Sequence, residues 1–187
     1  MRILYIVSGL QKASGVTTFV ENVAAELRAL GQTVDIVTRA TEKGGVRKDE
    51  AVRASDIVHI HGLWTPWLHG WAKAARKAGV KVVWSPHGML TPWAMHYKWL
   101  KKRVAWFLYQ KRDLQLADVL HVTVPSEEDD VRRVGLTPPV VVVPLGVRMA
   151  DFASHDTRGG VSSALCQSGP SQEGACQSHP GLGGACA

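Results

Sequence analysis

Three histidines and two glycines have the chemistry and the placement to meet a substrate: His59, His61, His87, Gly15 and Gly88. His59 and His61 are two apart in an apolar run, so a strand would carry both on one face near its carboxyl end. Such a pair, with Asp56 nearby, could begin the metal site of a hydrolase, but no further ligands are evident. The commoner outcome is one packed histidine and one, His61, lining a cleft. His87 follows Ser85-Pro86 and precedes Gly88. The proline fixes the exit of a strand and the glycine removes side-chain bulk, which leaves the imidazole pointing into the cleft. There it could donate to a hydroxyl or phosphate, or act as a general base. A structural histidine hydrogen-bonded to a loop fits the position equally well.

Two further stretches carry polar groups. Ser8 to Val16 links an apolar run to a helical pattern, and the free N–H groups of Ser14, Gly15 and Val16 at such a helix start favour an anion. It is neither a P-loop nor a G-x-G-x-x-G turn, so a plain tight turn is the other reading. Ser126-Glu127 opens a later helix, where the carboxylate of Glu127 complements the dipole or binds hydroxyls.

The elements that must position these groups alternate regularly. Strands are predicted at about Ile3 to Val7, Thr33 to Thr38, Ile57 to Ile60, Val80 to Trp84, Val119 to Val122 and Val140 to Val143. Helices are predicted from Val16 to Leu27, Trp67 to Ala78, Trp93 to Leu116 and Ser126 to Val134, with Gly31, Gly79 and Gly135 just past three of them. This order predicts an α/β, doubly wound, Rossmann-like parallel sheet over residues 1–150. Every candidate residue then falls on the edge formed by the carboxyl ends of the strands, where ligands of such sheets sit.

The helix from Trp93 to Leu116 has an apolar stripe of Leu100, Val104, Phe107 and Leu108, with Lys98, Lys101, Lys102 and Arg112 on the opposite face. That pattern fits a helix packed on the sheet with a solvated basic face. It also fits a helix lying on an anionic membrane surface, bordered by Trp99 and Trp106.

Composition narrows the class. The chain has 187 residues, 45% of them hydrophobic, and a formal charge of +6. An anionic partner is expected, and no nucleic-acid recognition module is present. The cysteines, Cys166, Cys176 and Cys186, all lie late in the chain, so the body has no disulfide framework and reads as cytoplasmic, with a peripheral position on the inner face of the membrane as the second expectation. No apolar run approaches the ~20 residues of a membrane span.

From 151 to 187 the pattern stops, and the segment reads as an unstructured Gly/Ser/Pro/Gln/Cys tail. If the codons from Ala164 onward are read one nucleotide later, Gln172-Glu173-Gly174 must yield two basic residues, and the neighbours permit an apolar strand, a basic loop and an amphipathic helix. The tail is therefore expected to be a frameshifted start of a second αβ domain.

Taken together, the opening strand with its Gly15 loop, Asp56 to Gly62, Ser85-Pro86-His87-Gly88-Met89-Leu90, and Thr123 to Glu127 leading to Pro144-Leu145-Gly146-Val147 resemble the amino-terminal domain of family-4, GT-B-fold glycosyltransferases. The resemblance spans nearly all of 1–150. It implies two facing αβ domains, retention at the anomeric carbon, and no metal or cofactor beyond a nucleoside-diphosphate sugar. By motif position it makes His87 the catalytic histidine near the transferred sugar and Ser14, Gly15 and Val16 the contact to the donor diphosphate. His61, Gly88 and Glu127 would lie on the acceptor side, a glycan or lipid-linked molecule in cell-surface polysaccharide synthesis. The family's Thr-Ser pair before the acidic residue reads Thr123-Val124 here. The shifted frame of the tail resembles the opening of the family's donor domain, and the chain as it stands is expected to be nearly inactive. A non-catalytic domain that binds a sugar or a membrane is the alternative.

Overall fold

Six apolar, β-branched runs separated by polar turns form six strands: β1 (Arg2–Val7), β2 (Thr33–Val37), β3 (Ile57–His61), β4 (Lys81–Ser85), β5 (Val119–Val122) and β6 (Val140–Val142). The computed structural model describes residues 1–9, 15–144 and 146. All pairings are parallel, in the order β2-β1-β3-β4-β5-β6. The chain thus leaves β1 toward β2 on one side and returns to β3 on the other. The crossovers diverge at that switch point, which leaves a crevice beyond the carboxyl ends of β1 and β3.

Helices cover both faces: α1 (Gly15–Ala29), α2 (Arg39–Lys43), α3 (Lys48–Arg53), α4 (Pro66–Ala78), α5 (Pro92–His96), α6 (Trp99–Ala105), α7 (Lys111–Gln115) and α8 (Pro125–Arg133). Strand alternation divides the interior in two. Leu4, Ile6, Val58, Ile60, Val82, Trp84, Leu120 and Val122 point toward Leu68 and Trp71 of α4, Leu114 of α7 and Val131 of α8. Ile3, Tyr5 and Val7 point the other way, onto Phe19, Val20 and Ala24 of α1. The anticipated αβ alternation is therefore present. The short helices α2 and α3, which no long periodic run announces, were not anticipated.

The predicted helix from Trp93 to Leu116 is corrected in two respects. It is not continuous: α5 ends at Tyr97, Lys98 takes a left-handed backbone (φ 54°), and a π-helical turn, Trp106–Gln110, joins α6 to α7. Neither glycine nor proline marks the break, so nothing local signals it. The Ala94 carbonyl freed by the break accepts the Lys102 ammonium. The apolar stripe is also turned outward, with Leu100 62%, Val104 58%, Phe107 72% and Leu108 74% exposed.

The inner side is set instead by polar anchors. Asp113, fully buried, accepts from Arg76 Nη2 at 2.8 Å and contacts His69 Nδ1 at 2.7 Å, which fastens α7 to α4. Gln110 Oε1 accepts the Trp64 N–H at 2.8 Å, and the Tyr109 hydroxyl donates to the Trp64 carbonyl at 2.9 Å. These bonds hold Trp64 in its left-handed conformation (φ 71°) just past the end of β3, a state that costs on the order of 1–3 kcal/mol for a residue other than glycine.

Replacing Asp113 by Ala leaves Arg76 and His69 without their buried partner. A loss of about 3 kcal/mol in urea unfolding is expected, since removing one member of a buried charged set strands the others.

Candidate functional site

At the carboxyl edge of the sheet the register builds a row of side chains on the α1 face. Val7 lies beside His61 and His61 beside Ser85, and the pairing of Trp84 with Leu120 makes His121 the next member. One step below, Tyr5 lies beside His59. Phe19 of α1 covers the row, its ring centre 6.1, 5.5 and 5.8 Å from those of His61, His87 and His121.

Buried polar groups in such a row must bond to one another. His59 Nε2 is 2.7 Å from Ser85 Oγ, which is 2.8 Å from His121 Nδ1, while His121 Nε2 lies 3.3 Å from the Val143 carbonyl. A carbonyl only accepts, so His121 carries its proton on Nε2 and accepts at Nδ1. The Ser85 hydroxyl then donates to His121, and His59 Nε2–H donates to Ser85. The second pair is His61 Nδ1 with His87 Nε2 at 3.0 Å. Among the described residues His61 Nε2 is buried without a partner, and an orphaned acceptor is more readily tolerated than an orphaned N–H. His61 is therefore the donor to His87, and neutral His87 holds its proton on Nδ1, which has no partner among the described residues.

Burial drives every one of these imidazoles toward the neutral form. His59 and His61 lie well below the ordinary value of 6.5, by burial first and then by the neighbouring histidines. His87 falls to about 4, chiefly by burial, with the Glu127 carboxylate opposing and His121 adding to the fall. His121 is also lowered, mainly by burial. Tyr5, below them, is pushed up to about 12 by burial. At neutral pH these imidazoles are uncharged donors and acceptors, suited to hydroxyl groups.

The turn that carries His87 is strained. His87 (φ 52°) and Gly88 (φ 71°) are successive left-handed residues after β4, and a glycine at the second lowers the cost. Glu127 pins the turn. Its Oε1 accepts the Gly88 N–H at 2.6 Å, and its Oε2 accepts the Thr123 N–H at 2.9 Å and the Thr123 hydroxyl at 3.2 Å. With Glu127 only 4% exposed, its carboxylate joins the loops after β4 and β5.

Other sequence candidates are placed as follows. Gly15 is the exposed first residue of α1, and a Cβ there would meet nothing within 4 Å, so packing does not demand the glycine. Val16 packs against the α1-side core. Ser14 lies outside the described residues, as do the 151–187 segment and its shifted-frame reading. The expected separation of cations from the apolar stripe is corrected: Lys98, Lys101 and Arg112 are exposed as the stripe is, and only Lys102 turns inward, half-buried, its ammonium 5.4 Å from the Trp64 ring centre and 5.8 Å from that of Tyr97. Beyond β1 and β2 the same edge has a groove of about 510 Å³, lined by Ser8, Gly9, Ile36, Thr38, Arg39 and Thr41 among others. Among the described residues, no three His, Cys, Asp or Glu side chains are placed to hold a metal ion.

Sequence reasoning missed His121, Ser85, Tyr5 and Arg39. His121 was within reach: it is a polar residue in an apolar run near a strand's carboxyl end, the same signal that singled out His59 and His61.

The polar cluster stands at the carboxyl ends of an open parallel sheet, the edge at which ligands of such sheets sit. The chain belongs to the glycosyl transferase 4-like domain family, whose model matches residues 50–146, more than half of its length. Among solved structures, the chain is similar to the CMP N-glycosidase BcmB of Clostridium botulinum, with 16% identity and a TM-score of 0.35 over 46% of this chain and 69% of that one. No curated protein matches the chain.

Two measurements check the site. All four histidine shifts run downward, so the unfolded chain binds protons first as pH falls. Stability should be level above the unfolded value near 6.5 and decline below it toward the folded value of His87, about 4. Each histidine contributes up to about 1.4 kcal/mol per pH unit in that window. Urea midpoints at pH 7, 6 and 5 give the slope, which His59→Gln should reduce. Glu127→Ala, by releasing two backbone N–H groups, should cost about 2 kcal/mol in the same assay.

Proposed function

We propose that the chain forms the acceptor side of a retaining glycosyltransferase that moves a hexosyl group from a nucleoside-diphosphate sugar to a glycan or lipid-linked acceptor in cell-surface polysaccharide synthesis. The observation that supports this reading is the uncharged histidine cluster seated on the switch-point crevice of a chain in this family. As the bond from the anomeric carbon to the diphosphate lengthens, the sugar gains oxocarbenium character. An imidazolium beside it would oppose that charge, whereas neutral His87 offers its free Nδ1–H to a sugar hydroxyl without doing so. The His61–His87 bond fixes the ring, and Glu127 fixes the turn that carries it.

The start of α1 at Gly15 and Val16 would receive the leaving diphosphate, since the N-terminal N–H groups and dipole of a helix favour an anion. The acceptor oxygen bonds to the anomeric carbon as the diphosphate leaves, and the acceptor's proton passes to the departing phosphate. No metal ion or further cofactor enters this scheme. Other donor contacts would come from a facing αβ domain.

The test is transfer or donor hydrolysis, scanned over nucleotide sugars, by the product of the gene read in the shifted frame from Ala164 onward to the next stop codon. Activity should appear there, and His87→Ala should lower it by about a hundredfold or more, since removal of one preorganised donor costs on the order of 10²–10³ in rate. Undiminished turnover in that variant would remove His87 from the mechanism. Glycan binding with no donor consumption would favour the alternative, a non-catalytic sugar-binding domain.

A further inference from the structure

The segment from α5 to α7 is inverted in polarity. Its inner side carries Lys102, Tyr109, Gln110 and Asp113, each bonded into the fold. Its outer side carries Leu100, Val104, Phe107 and Leu108. Exposed Trp93, Tyr97 and Trp99 extend the apolar surface toward α5. A contiguous apolar face of this kind on a soluble domain marks a place where something apolar belongs.

Charge identifies the occupant. Between Pro92 and Arg112 the sequence has Lys98, Lys101, Lys102, Arg103, Lys111 and Arg112 and no acidic residue. A second copy of the chain would bring the same positive charge to a two-fold contact, and like charges facing each other disfavour it. A nucleic acid would answer the charge but not the apolar face. An anionic bilayer answers both, because lipid phosphates meet the cations at the level where acyl chains receive the apolar side chains and indole and phenol rings settle between. Between α5 and α6 a groove of about 480 Å³ combines Met95, Trp99 and Trp106 with Lys102 and Arg103, offering apolar and cationic groups together. Among the described residues no helix is long and apolar enough to cross a membrane, so the segment would lie in the interface.

We propose that the outer face of α5 to α7 docks on an anionic lipid bilayer, with Trp99, Leu100, Val104, Phe107 and Leu108 inserted below the headgroups and Lys98, Lys101 and Arg112 at the phosphates. The docked segment is rigidly tied to the crevice: Tyr109 and Gln110 clamp Trp64, which closely follows His61. Docking would therefore hold the strand-end crevice beside the membrane surface, on its inner face if the protein is cytoplasmic. For the function proposed above, this brings a lipid-linked acceptor to the site, although the docking itself does not depend on that chemistry.

The full chain is sedimented with phosphatidylcholine vesicles containing about one-third phosphatidylglycerol, and with phosphatidylcholine alone, at low and high salt. Binding should require the anionic lipid and weaken with salt. Lys98→Gln combined with Lys101→Gln and Arg112→Gln should weaken it by about a hundredfold at low salt. Phe107→Ser with Leu108→Ser should weaken it at least about tenfold while leaving the circular dichroism unchanged, because both side chains lie outside the fold. Brominated lipid should quench part of the tryptophan emission in the parent chain and less in that double variant. Equal binding to neutral vesicles, binding that survives high salt in the charge variant, or a dimer that the Phe107/Leu108 variant dissolves would each overturn the proposal. None of these readouts uses a sugar donor, so failure here leaves the transfer reading to its own assay.

Discussion

His61, Ser85 and His121 stand side by side on adjacent strands of a buried sheet, and Phe19 covers them. Polar groups in that position are removed from bulk solvent, so each must find a partner in the fold or be left orphaned. The rest of the site follows from this constraint. The imidazoles stay neutral because a charge there would be desolvated, the protons of His121, Ser85 and His59 take fixed positions because the Val143 carbonyl can only accept, and His87 Nδ1 is left without a partner among the described residues. Glu127 contributes from below, where its buried carboxylate holds two loops at once.

The second organising feature is the seating of the α5 to α7 segment. Helix faces in soluble domains normally turn their apolar stripe inward, but here Asp113, Gln110 and Tyr109 decide the orientation through bonds to α4 and to the loop after β3. The bonds from Tyr109 and Gln110 also stabilise the strained backbone of Trp64 at the edge of the crevice. One set of polar contacts thus fixes the outward apolar face and the loop after β3 together.

Most of the fold was legible because its strands are continuous apolar runs bounded by turns, and both faces of a parallel sheet are buried. The alternation within Ile57 to His61 was enough to place two histidines on one face, and Pro86 with Gly88 was enough to place His87 in a turn. The break at Lys98 was not legible, since no breaker residue marks it and its compensation comes from Lys102. Nor was the buried role of Glu127, because its partners, Gly88 and Thr123, lie 39 and four residues away in sequence.

By itself the sequence determined the order of strands and helices, the strand-end edge that carries the histidines, and the residue types available there, because periodicity and turn chemistry are local properties. Tertiary structure alone decided which histidines touch, which nitrogens carry their protons, where the Glu127 carboxylate points, and which side of the α5 to α7 segment meets solvent. Those outcomes depend on cross-strand register and on buried polar pairs between residues distant in sequence, and no local pattern encodes either.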